Sequence, residues 1–187
     1  ADVQAAERIA SMEELAGAFK LPRHEQAVVA MKRMLIEARL GNEKEMRRAM
    51  ARARAKMAKT PEHQRVFQYN IGHAMFELGR FAEAEAISKR VAQQYFELLR
   101  VSPETIFGLN QTELYAILRQ TTHQADDMKH LADALNMTAR SANAQGFDSK
   151  LARVHAMKFY HLAHAIDSLV KVGQDLADEF IGRTDYV

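Results

Sequence analysis

Apolar residues recur along most of the chain at intervals of three and four residues, which is the spacing of one face of an α-helix. The breaks between these runs carry residues typical of helix ends, such as Gly41, Gly79 and the pair Thr60-Pro61. Glycine accepts the left-handed backbone that closes a helix, and threonine followed by proline opens one. The pattern predicts an all-α fold, because helices alternate with tight breaks and leave no room for a sheet.

The breaks divide the chain into a lead-in helix and four helical pairs. The lead-in helix, short or broken, is expected within residues 1–20. The predicted pairs are residues 22–59, 60–100, 103–146 and 147–187, which together form a single helical-repeat domain. In the last pair we expect one helix from Asp148 to Gly173, followed by a truncated helix that begins at Asp175.

Two of the predicted helices begin with an asparagine that is followed three residues later by a glutamate. These capping pairs are Asn42 with Glu45 and Asn110 with Glu113. In such a pair the asparagine oxygen accepts a hydrogen bond from a free backbone N–H of the first turn. The pairs predict helix starts directly after Asn42 and Asn110.

The composition narrows the class of protein. Of the 187 residues, 48% are hydrophobic, which is enough for a sizeable core. The 26 Lys and Arg exceed the 24 Asp and Glu by two, so the formal charge is +2. No apolar run reaches the roughly 18 to 20 residues that cross a bilayer, so no membrane partner is expected. The absence of cysteine excludes disulfides and thiolate chemistry and fits a cytoplasmic protein. A start at Ala1 and an end soon after an apolar run are expected of a fragment of a longer protein.

Between Tyr69 and Ala84, small, apolar and aromatic residues surround a turn glycine at fixed intervals. The positions concerned are Ile71, Gly72, Met75, Gly79, Phe81 and Ala84. The segment resembles a tetratricopeptide repeat, a helix-turn-helix unit of 34 residues, with one good repeat at about residues 65–98. The resemblance gives Gly72 and Ala84 the role of letting the two helices pack closely. The family's initial Trp is Gln68 here, and Phe96 replaces its closing Pro.

The neighbouring units fit the same frame with longer helices, since Gly41 and Gly79 lie 38 positions apart. The resemblance therefore implies antiparallel helical hairpins stacked as a right-handed α-solenoid, in which each unit buries the apolar flank of the next. It also implies a concave surface lined by the first helix of each pair. In the best repeat the residues expected there are Tyr69, Asn70, His73, Phe76 and Glu77.

These residues could hold a peptide backbone and an apolar side chain, because two aromatic rings stand beside an imidazole, an amide and a carboxylate. Ordinary packing against a neighbouring helix is the alternative interpretation, above all for Phe76. The relatives that grip a C-terminal carboxylate use Lys and Arg at several concave positions. Tyr69 and His73 occupy two of those positions here, which argues against that specificity.

Basic residues dominate the stretch from Arg39 to Lys59, where Glu43 and Glu45 are the only acids. Such a stretch could bind nucleic acid through its phosphates. A solvated helix face is the better interpretation, because the charges lie opposite Met46, Ala53 and the other apolar residues of this helix, and no aromatic residue is interleaved for stacking on bases. A nucleic-acid partner is therefore not favoured.

Histidines and aspartates share one helix face at His123, Asp126, Asp127 and His130, and a similar stripe follows at His161, His164 and Asp167. Imidazole and carboxylate on successive turns can bind a metal, with His123, Asp127 and His130 as the candidate ligands. The spacings of zinc proteases and di-iron bundles are absent, so a polar helix surface is the better interpretation. No cofactor is expected.

We expect a non-catalytic module that binds a protein or peptide partner in a concave groove, since neither a phosphate-binding loop nor a nucleophile elbow occurs in the sequence. One alternative is a regulatory or sensory segment of a larger signalling protein, such as a transcriptional regulator or a nucleotide-dependent switch, in which further domains of the same chain are the partners. A third hypothesis is a metal-dependent helical enzyme.

Overall fold

The computed structural model describes residues 2–119 and 125–184, and this part of the chain is all-α and contains no strand. The helices are α1 (Asp2–Ala18), α2 (Arg23–Arg39), α3 (Glu43–Lys56), α4 (Pro61–Glu77), α5 (Phe81–Leu99), α6 (Pro103–Gly108), α7 (Gln111–Arg119), α8 (Ala125–Ala144), α9 (Lys150–Leu162) and α10 (Ile166–Thr184). The all-α prediction is confirmed. None of the described helices has both the length and the apolar character to cross a membrane.

The contacts divide the chain into two compact units, Ala1–Ile87 and Ser88–Val187. In the first unit, α2 packs against α1, α3 and α4. In the second, α9 packs against α8 and α10. The boundary between the units falls inside α5.

Small side chains build the core of the first unit. Ala38 of α2, Ala49 of α3, Ala74 of α4 and Ala84 of α5 are all fully buried in one apolar cluster. Three methionines fill the remaining space of this cluster, namely Met34, Met46 and Met75. Alanines let helix backbones approach closely, and the flexible thioethers adapt to the gaps that result. This is the packing expected for Met75 and Ala84, and the half-buried Ile71 lies against the same cluster.

Large residues build the core of the second unit. Its largest fully buried side chains include Tyr95, Leu99, Ile106, Leu114, Leu131 and Phe159. The rings of Phe96 and Phe159 meet edge to face, with centroids 6.4 Å apart. Polar contacts also link distant segments, since Tyr160 Oη donates to Asp133 Oδ1 over 2.7 Å and Lys158 Nζ donates to the Leu109 carbonyl over 3.3 Å.

Three of the glycines expected at helix ends behave as predicted. Gly41, Gly79 and Gly146 have φ of 73°, 75° and 83°, in the left-handed region. After each of them the next N–H reaches back to a carbonyl of the last helical turn, as in Arg80 N to Met75 O over 2.9 Å. The predicted start of α4 is also confirmed, because Thr60 Oγ1 accepts from the N–H of His63 and Pro61 occupies the first turn.

The two predicted capping pairs have different outcomes. Asn110 Oδ1 accepts from the N–H of Glu113, and Glu113 Oε2 accepts from the N–H of Asn110, so this pair is confirmed. At Asn42 the predicted helix start is confirmed, since α3 begins at Glu43, but the capping bond is wrong. The Asn42 side chain makes no cap bond, and its Nδ2 donates instead to Glu37 Oε2 over 3.0 Å. Glu37 is buried, and a buried carboxylate needs hydrogen-bond donors more than the exposed helix start needs an acceptor.

The break predicted inside the last pair is also wrong. The chain breaks at residues 163–165 rather than at Gly173, and α10 then continues through Gly173 for 19 residues. His164 has a φ of 55° and takes the place of a closing glycine, with Ala165 N bonded to Tyr160 O. No glycine stands at this break, and the helical spacing of apolar residues continues across residues 163–165 without interruption. The lead-in helix is likewise a continuous α1 of 17 residues rather than a short or broken one.

Candidate functional site

Three of the predicted groove residues form one row along α4. Tyr69, His73 and Glu77 lie at intervals of four residues, which places them on the same helix face, and all three are half-buried. The ring centroids of Tyr69 and His73 are 6.4 Å apart. His73 Nε2 lies 3.0 Å from Glu77 Oε1, within hydrogen-bond distance. The row is therefore fixed by contacts between its own members.

An arginine of α2 joins this row at its C-terminal end. Arg39 Nε lies 3.3 Å from the same Glu77 Oε1 that contacts His73. Glu77 is the last residue of α4, and one of its carboxylate oxygens thus contacts both Arg39, the last residue of α2, and His73, one turn earlier in α4. We call Tyr69, His73, Glu77 and Arg39 the α4 row. It combines an aromatic ring, an imidazole, a carboxylate and a guanidinium on a partly exposed surface.

The other two predicted groove residues are placed differently. Asn70 Nδ2 donates to the Val66 carbonyl over 2.8 Å, so its amide is bound to its own helix. Phe76 packs against the alanine-methionine cluster, and its ring centroid is 5.2 Å from that of Phe81. These contacts give Phe76 and Phe81 a packing role within the first unit. Gly72 is buried on α4.

The basic residues of α3 fall into two groups. At its start, Arg47 binds Glu43 and Arg48 binds Glu45 within the helix, and Arg80 Nη1 reaches Glu43 Oε1 over 2.9 Å. The hydrogen bond from Arg47 is the main cause that holds the pKa of Glu43 below its usual value; burial opposes it, and the charges of Arg47 and Arg80 lower the pKa further. At the end of α3, Arg54 lies over the ring of Phe67, with 5.8 Å between its guanidinium carbon and the centroid.

The opposite face of α3 is apolar, as predicted. Met46, Ala49 and Ala53 are fully buried and Met57 nearly so, whereas Arg47, Arg48 and Arg54 are exposed. The basic residues thus occupy a solvated face. The sequence indicated this face, but it did not separate the paired cations near Glu43 from those at the other end of the helix.

A cavity of about 300 Å³ in the second unit was not predicted. Its lining includes Phe96, Ile106, Leu135, Leu151 and His155. Burial lowers the pKa of His155, and the positive charge of Lys158 lowers it further. The apolar residues of α9 are not all in the core here, because Leu151 is 58% and Val154 39% exposed while Arg153 and His155 are buried.

The candidate metal ligands do not come together in the described residues. His123 lies outside them. His130 Nδ1 is 3.9 Å from Asp133 Oδ2, and that carboxylate already accepts hydrogen bonds from Lys129 and Tyr160. Within residues 2–119 and 125–184, no three side chains of His, Asp or Glu are grouped so that they could hold a metal ion.

The described residues form an all-α structure, and the α4 row is a polar surface on its first unit. No family model matches this chain, and no curated protein or solved structure is similar to it at a significant level.

Proposed function

We propose that this chain is a non-catalytic interaction module of the tetratricopeptide-repeat kind, and that the α4 row binds a peptide or helix of a protein partner. In this proposal α2 with α3, and α4 with the start of α5, are successive hairpins of a right-handed solenoid. The buried alanines that bring these four helices together support the proposal, as do the left-handed glycines that close α2 and α4.

The observation that carries the proposal is the organisation of the α4 row. Tyr69 and His73 offer flat, half-exposed rings, which bind partner side chains with little loss of conformational entropy. Glu77 and Arg39 supply an acceptor and donors that are already oriented by their own contacts. A surface held in this way loses less freedom on binding than one built from free side chains.

A random 12-residue peptide library displayed on phage and selected on the purified protein tests the proposal. The double variant Tyr69→Ala/His73→Ala should weaken binding of the selected peptides by about tenfold or more, which corresponds to about 1.4 kcal/mol. Its helicity should be nearly unchanged by circular dichroism, since both residues are half-buried and lie outside the alanine-methionine cluster.

Lys32→Ala is the matched control, because Lys32 is an exposed residue of α2 outside the row. It should bind the selected peptides as the wild type does. If selection enriches no peptide, or if the enriched peptides bind the double variant as tightly as the wild type, the α4 row is not the binding surface.

A further inference from the structure

A large open pocket lies in the first unit where the start of α2 meets the end of α3. It has a volume of about 730 Å³. Five of its lining residues are basic or histidine side chains, and none is acidic; they are Arg23, His24, Arg54, Lys56 and Lys59. The remaining lining residues are Ala55, in the last turn of α3, and Met57 and Ala58, which follow the helix. The pocket thus concentrates positive charge around a partly apolar floor.

Three cations of this pocket, Arg54, Lys56 and Lys59, differ from Arg47 and Arg48 of α3 in their ion pairing. Arg47 and Arg48 are neutralised by Glu43 and Glu45 on the same helix. In the part of the chain that the structure describes, no acidic side chain forms an ion pair with Arg54, Lys56 or Lys59. The acid next to the pocket is Glu25, whose Oε1 is 3.9 Å from His24 Nε2.

The helix dipole alone does not account for this charge. The C-terminal end of a helix carries about half a negative charge, and cations in the last turn offset it. Arg23 already serves α3 in this way, because its Nη2 donates to the Ala55 carbonyl over 2.9 Å. Three further cations lie near this helix end, namely Arg54, Lys56 and Lys59. Their three positive charges exceed the roughly half negative charge of the helix end several-fold.

The sequence on both sides of the pocket residues also carries an excess of positive charge. Residues 22–59 contain 11 lysines and arginines and 4 glutamates, a formal charge of +7, whereas the whole chain carries only +2. The charge is therefore concentrated in one hairpin and not spread over the chain. A surface of this kind attracts and orients anionic ligands.

We infer that this pocket is a docking site for a short acidic segment, rich in Asp and Glu, of a protein partner. Arginine forks and lysine ammonium groups recognise carboxylates, and the apolar floor can take the aliphatic parts of Glu side chains. The inference goes beyond the proposed function, since it concerns a second surface. Arg23 and Arg39 stand at opposite ends of α2, about 24 Å apart at the usual helical rise.

An acidic peptide fits the pocket better than a nucleic acid does. A nucleic-acid backbone requires cations along an extended track, and the ion pairs of Arg47 and Arg48 interrupt such a track on α3. Binding of single strands also uses exposed aromatic rings for stacking, and the aromatic ring beside the pocket cations, that of Phe67, is buried in the core. A compact patch of carboxylates needs neither feature.

Fluorescence anisotropy of a fluorescein-labelled octapeptide with alternating Glu and Gly tests the inference at low salt. The wild type should bind it about tenfold more tightly than the same peptide with Gln in place of Glu, and the affinity should fall as salt rises. Lys56→Gln/Lys59→Gln should weaken binding about fivefold or more. The matched control is Arg47→Gln/Arg48→Gln, which removes the same charge from the paired end of α3 and should change the affinity less than about twofold.

Equal losses in the two double variants would overturn the inference, because they would indicate attraction to the overall charge rather than to the pocket. Equal binding of the Glu and Gln peptides would also overturn it, as would tighter binding of a 12-nucleotide DNA strand than of the Glu peptide. The Tyr69→Ala/His73→Ala variant separates the two proposals. This variant should still bind the Glu peptide but bind the selected peptides more weakly, so each of the two proposals can fail while the other holds.

Discussion

The last residue of α2 is paired with the last residue of α4, because Arg39 Nε lies 3.3 Å from Glu77 Oε1. The pair connects two helices that are separated in sequence by α3, and it also anchors the polar end of the α4 row. Its members are partly exposed, with 46% of the Arg39 side chain and 23% of the Glu77 side chain accessible.

Replacing Arg39 by Gln should lower the free energy of unfolding by about 0.5 to 1 kcal/mol at low salt, since partly exposed ion pairs contribute in this range. The loss should shrink as NaCl is raised, because salt screens the pair. Urea denaturation at two salt concentrations measures both effects. Arg48→Gln, which breaks a pair within one helix, is the control and should cost less. A salt-independent loss at Arg39 would contradict an electrostatic role for the pair.

The position of Asn42 gives a prediction that is opposite to the general rule for helix caps. Asp and Asn are equally good cap residues, so a capping role predicts that Asn42→Asp is neutral. In the structure the Asn42 amide donates to the buried Glu37, and an aspartate there would place two carboxylates together. We expect Asn42→Asp to lower the free energy of unfolding at neutral pH by about 1 to 3 kcal/mol, because Glu37 loses one donor and gains a like charge beside it. Arg33 Nε, 3.3 Å from Glu37 Oε1, remains as its other donor.

Urea denaturation at pH 7 measures the effect at Asn42. The control is Asn110→Asp, at a position where the asparagine is a true cap and the carboxylate should serve as well. Similar small effects of the two substitutions would show that the contact with Glu37 does not stabilise the fold.

The helices and most of their ends follow from local chemistry, which is why the sequence predicts them. Gly41, Gly79 and Gly146 close helices because their backbones adopt positive φ at little cost, a property of the residue itself. The break at His164 has the same backbone geometry without glycine. Neither glycine nor proline stands near it, so the local sequence does not mark this break.

The candidate site shows the same limit. The interval of four residues places Tyr69, His73 and Glu77 on one face, which the sequence predicts. The sequence does not predict that Arg39 completes this row, since that contact joins helices 38 positions apart. It also leaves open whether Phe76 faces a groove or the core, because both faces of α4 carry aromatic residues and only the packing with Phe81 decides between them.

The left-handed residue His164 should tolerate glycine. A non-glycine residue at positive φ carries strain of about 1 to 2 kcal/mol, and His164→Gly should relieve part of it while adding freedom to the unfolded chain. We expect an unchanged or slightly higher melting temperature. The reverse change, Gly79→Ala, should cost about 1 to 2 kcal/mol from backbone strain alone, since nothing lies within 4 Å of the added Cβ. A clear loss of stability in His164→Gly would show that its side chain makes a necessary contact.

The buried His155 should make the protein less stable in mild acid. Burial, and then the charge of Lys158, lower its pKa below the ordinary value of 6.5. As the pH falls below that ordinary value, the unfolded chain binds a proton at His155 that the folded chain does not bind, so the unfolded state is favoured. The contribution of His155 is thus fully present above pH 6.5 and is lost as the pH falls towards the lowered pKa.

Urea denaturation at pH 7.5 and at pH 5.5 tests this dependence. His155→Gln should lose less stability between the two pH values than the wild type does. His24→Gln, which removes an exposed imidazole, should behave like the wild type. An unchanged pH dependence in His155→Gln would mean that the ring is protonated equally well in the folded and unfolded chains.

If the α4 row binds a peptide, as we propose, its backbone amides should respond to that peptide. Titration of a library-selected peptide into ¹⁵N-labelled protein, followed through the backbone amide resonances, measures this response. We expect the largest shifts at Tyr69, His73 and Glu77, extending to Arg39 across the ion pair. Largest shifts at residues of the second unit, such as those around the cavity beside His155, would contradict it.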